Sequence, residues 1–385
     1  MSGLRNGEQR YSQSHADVSK TRKGKLAALL SGFGIKSFGL TVICLGFIFW
    51  IAYTKITQPK KIENFGIAQS NLFRLTTSDQ REIVKQISMT GAAWFREALV
   101  AQDDDEMSSL LREIRVVNEQ GMRFLAVVLP IPTDYDDEGP AENAGQAFSQ
   151  RCGWWQGSKK LSKLNVAKFG ARLRRQLRQI KANGLSIDAF EIGNELDWFC
   201  FNGDLPADRP ADDHDLQVVL RGYKEFLRSA AEIIRDPQLF PDSKVITFGT
   251  ANGRGENGSI KNPEKILDEL RQLGEFDFVQ NSIYRISGVG IHIYPRPFHL
   301  REDIFSIIGT YKKHIPSNIP IWVTEWGLDD DDFSIKNPFH LVNGISEFYR
   351  NLKDAAKFYG VSIGPAFYYC YVGCPTALKS HNIQN

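Results

Sequence analysis

The sequence of 385 residues lacks several features that define particular protein classes. Its five cysteines include no Cys-x-x-Cys pair, which argues against a structural zinc site and a disulfide-rich miniprotein. No Gly-x-Ser-x-Gly motif is present, so a hydrolase with a nucleophile elbow is not indicated. The glycine-rich stretch 249–258 lacks the Lys-Ser/Thr of a phosphate-binding loop. Internal repeats are also absent, and 42% hydrophobic with 24% charged residues is typical of a globular protein.

The formal net charge of +2 conceals two regions of opposite sign. Residues 1–61 contain ten Lys/Arg and two Asp/Glu, so the remaining 62–385 have a net charge of −6. An acidic body argues against nucleic acid as a partner, because phosphate backbones are bound by basic surfaces. The basic N-terminal region instead indicates a targeting segment joined to a separate folded body.

A single uncharged, largely apolar segment of 18 residues, Ser37–Thr54, follows the basic tail. This length is just enough for a helix to cross a membrane, and Trp50 and Tyr53 lie near its end, as in interfacial aromatic belts. The excess of basic residues before the segment predicts a cytoplasmic N-terminus and an outward body. A cleaved signal peptide is the alternative, but no small-x-small cleavage site follows Ile51.

These features predict four parts of the chain. They are a basic cytoplasmic tail at 1–36, a transmembrane signal anchor at 37–54, a linker at 55–63 and a folded domain at 64–385. The folded domain contains four cysteines, Cys152, Cys200, Cys370 and Cys374. An oxidising compartment would allow two disulfides among them, with three possible pairings, and four free buried thiols are the alternative.

Short apolar runs alternate with longer amphipathic stretches from residue 65 onward. The short runs predict strands at 65–68, 93–95, 123–129, 189–192, 244–248, 290–294, 320–324 and 362–368. The longer stretches predict helices near 78–89, 105–119, 166–180, 214–235, 263–273, 301–313 and 339–359. The predicted fold class is α/β, a TIM (β/α)8 barrel preceded by one N-terminal transmembrane helix. A doubly wound open sheet, which shows the same alternation, is the alternative.

The chemistry of a barrel is expected at the carboxyl ends of its strands. The fourth predicted strand is followed by Asn194 and Glu195, and the sixth carries His292 and Tyr294 at its end. The seventh leads into Thr-Glu-Trp-Gly, which contains Glu325. Two carboxyl groups at one barrel mouth are the apparatus of glycoside hydrolysis, in which one donates a proton and the other stays ionised.

These three motifs, in this order, resemble the retaining glycoside hydrolases of clan A, families 5, 39 and 128 in particular. The resemblance covers about 64–371 and excludes the membrane segment. It implies that Glu195 is the acid/base and Glu325 the nucleophile, with carboxyl groups about 5–5.5 Å apart.

Further roles follow from the same resemblance. It implies that Asn194 hydrogen-bonds the sugar 2-hydroxyl, that Tyr294 orients the nucleophile and that His292 lines the same wall. Arg96 matches an arginine that keeps the nucleophile ionised, as a neighbouring cation does. Sugar rings also stack on flat aromatic side chains, which makes a further set of residues candidates for substrate binding. These are Trp154, Trp155, Trp198, Trp326 and Tyr368.

The sequence therefore predicts a membrane-anchored retaining glycoside hydrolase that cleaves a β-linked polysaccharide or oligosaccharide outside the cytoplasm. Processing of an exopolysaccharide or cell-surface glycan would suit such an anchor. The expected partners are the glycan, the membrane and machinery of polysaccharide synthesis or export, and no metal or other cofactor is predicted. The alternatives are a transglycosylase on the same scaffold and a non-catalytic glycan-binding component of an export complex.

Overall fold

The computed structural model describes residues 60–137, 159–251, 259–272, 285–296, 298–328 and 338–370. The chain divides into two compact units, Met1–Pro59 and Lys60–Asn385, and all described residues belong to the second. No helix within these ranges is long and apolar enough to cross a membrane. The apolar segment Ser37–Thr54 lies outside them.

Strands and helices alternate throughout the described residues. The strands are β1 (Ile62–Ala68), β2 (Ala92–Ala98), β3 (Arg123–Val128), β4 (Ala189–Ile192), β5 (Lys244–Thr247), β6 (Val289–Ile293), β7 (Ile321–Trp326) and β8 (Ile363–Tyr369). The helices are α1 (Thr77–Met89), α2 (Asp104–Glu119), α3 (Val166–Ala182), α4 (Asp213–Ile234), α5 (Lys265–Gln272), α6 (Leu300–Lys312) and α7 (Pro338–Tyr359). Each predicted strand and helix has a counterpart among them.

The eight strands form one parallel sheet in the order β5-β4-β3-β2-β1-β8-β7-β6. This order is a ring opened between β5 and β6. Isolated parallel bridges join Ile246 to Gly288 and Thr250 to Ile291, so the gap is nearly closed. The described residues therefore form a nearly closed (β/α)8-type barrel, and the open doubly wound sheet is excluded.

Four of the helices, α1 to α4, begin at side-chain caps that the sequence supplies locally. Thr76 accepts the Asp79 amide at the start of α1, and Asp103 accepts the Glu106 amide at the start of α2. A capping box formed by Asp212 and Asp215 starts α4. Each cap satisfies amides that have no partner within the helix, which fixes where the βα loops end.

Large aromatic side chains fill the amino-terminal half of the barrel interior. Trp94 contacts Trp322 and Phe367 edge to face, with ring centroids 5.4 and 6.2 Å apart. Glycines make room for these rings, since a Cβ at Gly66 would lie 2.4 Å from Phe367 and one at Gly288 2.6 Å from Trp322. This packed layer forms a floor, so the space left for polar chemistry is at the carboxyl end of the strands.

Two of the four cysteines predicted to lie in the folded domain fall within the described residues. Cys200 and Cys370 are both buried and both disulfide-bonded. Cys152 and Cys374 lie outside the described residues. Of the two alternatives left open by the sequence, free thiols are therefore wrong for Cys200 and Cys370.

Candidate active site

Polar side chains form the next layer of the barrel interior above the aromatic floor, because strand residues two apart point to the same face. Trp94 points into the barrel, and Arg96, two residues later on β2, lies above it. Ala189 on β4 belongs to the same interior layer, and Glu191 follows it by the same spacing. Arg96 and Glu191 are 6% and 0% exposed, so the charged centre is enclosed by the barrel wall.

Arg96 bonds three other side chains of this centre. Its Nε donates to Glu191 Oε2 at 2.7 Å, its Nη1 to Glu325 Oε2 at 3.1 Å and its Nη2 to Asn194 Oδ1 at 2.7 Å. Burial lowers the pKa of Arg96, but the attraction of Glu191 and Glu325 outweighs it, and the net pKa is raised. Arg96 is therefore a permanent cation that connects three of the eight strands.

Glu195 lies in the turn directly after β4 with an unusual left-handed φ of 45°. Its amide donates to the Gly249 carbonyl at 2.8 Å, and its Oε1 is 2.8 Å from His292 Nδ1. Its carboxyl is largely shielded, with 13% of the side chain exposed. Burial, opposed by Arg96 and reinforced by Glu191, raises the pKa of Glu195 to about 7. A carboxyl group in this state can carry a proton at neutral pH.

Glu325 has a different environment at the end of β7. Arg96 donates to one of its carboxylate oxygens, and the Tyr294 hydroxyl donates to the other. A bulge brings it there, because Ile291 pairs with Val323 whereas the next residue of β6, His292, pairs with Glu325. Both carboxylate oxygens of Glu325 are therefore hydrogen-bonded, and one of the two donors is the Arg96 cation.

The two carboxyl groups face each other across a short gap. One ligand-type atom from each of Glu195, His292 and Glu325 lies within 4.8 Å of the other two. Such a trio is also the kind of group that holds a metal ion. Here the Arg96 guanidinium already bonds Glu325, and His292 already bonds Glu195, so the atoms that would face an ion are already hydrogen-bonded. We interpret these side chains as acid–base groups and not as metal ligands.

His292 and Tyr294 complete the wall formed by β6. His292 is fully buried, which lowers its pKa and favours the neutral ring. A side chain at Gly249 would collide with this ring, since a Cβ there would be 2.2 Å from His292 Nε2. The Tyr294 hydroxyl has its pKa raised by burial and by the Glu325 charge, so it remains a donor to Glu325.

The structure brings six of the predicted polar residues into one cluster. They are Arg96, Asn194, Glu195, His292, Tyr294 and Glu325. Trp198 is half-buried in the loop after Glu195, where it packs on Phe199 and Phe201. Its role in sugar binding stays a prediction. Trp154 and Trp155 lie outside the described residues.

The stacking role predicted for Trp326 and Tyr368 is wrong. Trp326 is 0% exposed and stacks on Phe348 of α7 at 3.7 Å, in the layer between strands and helices. Tyr368 is 1% exposed and packs edge to face against Trp326. Both rings face away from the barrel interior. Tyr369, the next residue of β8, packs against the interior layer instead, and its pKa is raised by burial and then by the Glu325 charge.

Sequence reasoning also missed two buried carboxyl groups. Glu191 accepts Arg96 on one oxygen and the Gly249 amide at 2.8 Å on the other. Asp197 is 0% exposed and accepts the Ala251 amide at 2.9 Å. The signal for Glu191 was present, because a charged residue interrupts an otherwise apolar strand. Asp197 carried no such signal, since it follows the strand in a turn.

No protein-family model matches the chain, and no curated protein matches it. Solved structures do match. A GH5-4 broad specificity endoglucanase from an uncultured bacterium is 16% identical with a TM-score of 0.50, covering 82% of this chain and 91% of that chain. A beta-glucosidase from Exiguobacterium marinum is 12% identical with a TM-score of 0.50, covering 81% and 90%. At these identities the likeness establishes the barrel fold alone.

Proposed function

We propose that the protein is a retaining glycoside hydrolase acting on a β-linked glycan. The observation that carries this proposal is the pair Glu195 and Glu325, whose nearest groups lie within 4.8 Å at the mouth of the barrel. Retaining enzymes keep their carboxyl groups about 5–5.5 Å apart, whereas inverting enzymes leave about 6.5–9.5 Å for a water molecule. The two structural neighbours, described as an endoglucanase and a beta-glucosidase, favour a β-glycan as substrate.

The environments of the two carboxyl groups indicate which one is the acid/base and which one is the nucleophile. Glu195, with its pKa raised to about 7, donates a proton to the glycosidic oxygen as the bond to the anomeric carbon breaks. Glu325, held by Arg96 at 3.1 Å, attacks that carbon and forms a covalent glycosyl-enzyme. Glu195, now ionised, removes a proton from water, and the resulting hydroxide attacks the anomeric carbon and releases Glu325. Two inversions leave the anomeric configuration retained.

The surrounding residues hold this geometry through both steps. Tyr294 and Arg96 keep the two oxygens of Glu325 oriented, so that its attack needs little rearrangement. Asn194, fixed by Arg96, is available to the 2-hydroxyl of the sugar. His292 fixes the Glu195 carboxyl, and its low pKa keeps it from adding a second cation beside the acid.

The roles of the two carboxyl groups can be separated with leaving groups of different acidity. Glu325→Ala should abolish turnover of both a natural β-glycan and an activated dinitrophenyl glycoside. Glu195→Ala should lose activity by several orders of magnitude on the glycan but much less on the activated glycoside, whose departure needs no proton. Glu347→Gln, which removes an exposed carboxylate from α7, is the matched control. Equal losses on both substrates for Glu195→Ala would overturn its role as acid.

The stereochemistry gives an independent test. NMR of the first product formed by the full-length chain should show the anomer of the substrate, and an inverted product would remove Glu325 as nucleophile. Products longer than the substrate would identify transglycosylation, in which a sugar hydroxyl replaces water in the second step.

We further propose that the domain works outside the cytoplasm, anchored by Ser37–Thr54. Its support is the basic tail before an uncharged apolar segment, together with the disulfide-bonded state of Cys200 and Cys370. A reporter domain fused after Lys61 should read as external in intact cells. A cytoplasmic signal from that reporter would refute this location.

A further inference from the structure

Asp197 is a buried carboxyl group that the proposed mechanism does not use. It follows Glu195 by two residues in the turn after β4 and is 0% exposed. Its Oδ1 accepts the Ala251 amide at 2.9 Å, and its backbone carbonyl accepts the Ile260 amide at 2.9 Å. Burying a carboxyl group is costly unless it is fully bonded, so its presence beside the acid requires a reason.

The first consequence of these bonds is mechanical. The segment after β5 is held to the Glu195 turn at two points, through Gly249 and Ala251. Glu195 has a left-handed φ of 45°, which costs roughly 1–2 kcal/mol for a residue with a side chain. Such a conformation persists only where its surroundings impose it. The bond from Ala251 to Asp197 is one of the contacts that impose it.

The second consequence is electrostatic. Asp197 Oδ2 is buried and has no hydrogen-bond partner among the described residues. The titratable groups that interact with Asp197 are Glu195 on the same turn, His292 on β6 and Tyr311 on α6. Glu195 in turn interacts with Arg96, Glu191 and Tyr294, and it is hydrogen-bonded to His292. Burial, with Glu195 adding to it, raises the pKa of Asp197 to about 7. Two buried carboxyl groups in one turn titrate as a pair.

We propose that Asp197 is a positioning residue for the acid/base: it fixes the turn that carries Glu195 and, as the second carboxyl of a buried pair, retains the acid proton on Glu195 to higher pH. The interaction of the two carboxyl groups is mutual, so ionisation of either one disfavours ionisation of the other, and the second proton of the pair is lost at higher pH than from a lone carboxyl. This inference rests on the proposed function only in taking Glu195 as the proton donor.

Asp197→Asn separates the two roles, because an amide oxygen can still accept the Ala251 amide while the charge is lost. The basic limb of the pH profile of kcat/KM should move down by about one pH unit, with the acidic limb unmoved. Asp197→Ala should in addition lower kcat at every pH, because the turn loses its bond. Asp188→Asn removes a carboxylate that bonds the Phe124 amide at the other end of β4, and it should leave the profile in place. A profile for Asp197→Asn that superimposes on the parent would overturn the proposal.

A second measurement needs no activity. The infrared carboxyl bands of the full-length chain, titrated between pH 4 and 9, should show Asp197 ionising at lower pH in Glu195→Gln than in the parent. The band is identified by its loss in the double variant with Asp197→Asn. An unchanged titration refutes the pairing even if the glycosidase is active. A shifted titration in a chain inactive on every glycan supports the pairing and removes the proposed function instead.

Discussion

Replacement of Arg96 by methionine tests the organisation of the whole site. The change removes the cation while keeping a side chain of similar length. Glu191, which is 0% exposed, would then be a buried carboxylate bonded only by the Gly249 amide. Removing one partner of a buried ion pair costs about 3–5 kcal/mol, so the free energy of unfolding should fall by that amount. Urea denaturation at pH 7 measures this loss through the transition midpoint.

Activity should fall for a separate reason. Glu325 loses a charge-assisted hydrogen bond, which is worth about 1.5–3 kcal/mol. At about 1.4 kcal/mol per factor of ten, kcat/KM should drop by roughly 10- to 100-fold in protein that is still folded.

The double variant Arg96→Met/Glu191→Gln separates stability from catalysis. It removes the orphaned buried charge, so most of the lost stability should return. Activity should stay low, because Glu325 and Asn194 still lack their donor. Arg172→Met is the matched control, since Arg172 forms a buried pair with Asp134 at 2.7 Å outside the site and its loss should cost stability without changing kcat/KM. Recovery of activity together with stability in the double variant, or a loss of less than about 1 kcal/mol in Arg96→Met, would refute the reasoning.

Three other outcomes are expected. Gly249→Ala should abolish turnover and lower the melting temperature, because the new methyl group would lie 2.2 Å from the His292 ring; a normal kcat would contradict the packing. Glu195→Gln should stabilise the fold at pH 8 and hardly at pH 4. Folding raises the pKa of this carboxyl from about 4.3 to about 7. Ionising it therefore lowers the free energy of unfolding by nothing below the first pH and by an amount on the order of 3 kcal/mol above the second. Calorimetry at both pH values checks the sign. Trp326→Ala should lower the free energy of unfolding by about 3–5 kcal/mol. A raised KM without that loss of stability would mean that Trp326 contacts the substrate.

The order and kind of the secondary-structure elements were predictable because each carries a distinct period in the sequence. Parallel strands covered on both faces are apolar throughout, and the amphipathic helices between them repeat every three to four residues. Because these strands are apolar throughout, their sequence does not show which residues face the barrel interior and which face the helices. Tyr368 and Tyr369 are both aromatic, so the sequence could not tell that the second, and not the first, packs against the barrel interior.

The bulge in β7 shows a further limit. Strict alternation from Trp322 would place Thr324 inside and turn Glu325 outward. The pairing of His292 with Glu325 after Ile291 with Val323 inserts one extra residue, which brings Glu325 to the mouth and Trp326 to the outer layer. A bulge depends on contacts between strands and leaves no local mark in one strand's sequence. The motif comparison predicts Glu325 at the mouth, where the structure also has it, because it rests on residue order and not on alternation; the role of Glu325 stays a prediction.

The predicted charged residues, together with the two carboxyl groups that sequence reasoning missed, explain how the site tolerates so much buried charge. Arg96 is the cation that bonds both Glu191 and Glu325, while Glu195 and Asp197 have raised pKa values near 7. A second buried cation would lower the pKa of Glu195 and remove the proton donor of the proposed mechanism, whereas loss of Glu191 would leave Arg96 with fewer fixed partners. The site therefore needs an excess of carboxyl groups over cations. At neutral pH the excess carboxyl groups keep a proton, and this proton, not a further Lys or Arg, offsets the excess negative charge. The protonated carboxyl is the acid that the proposed mechanism needs.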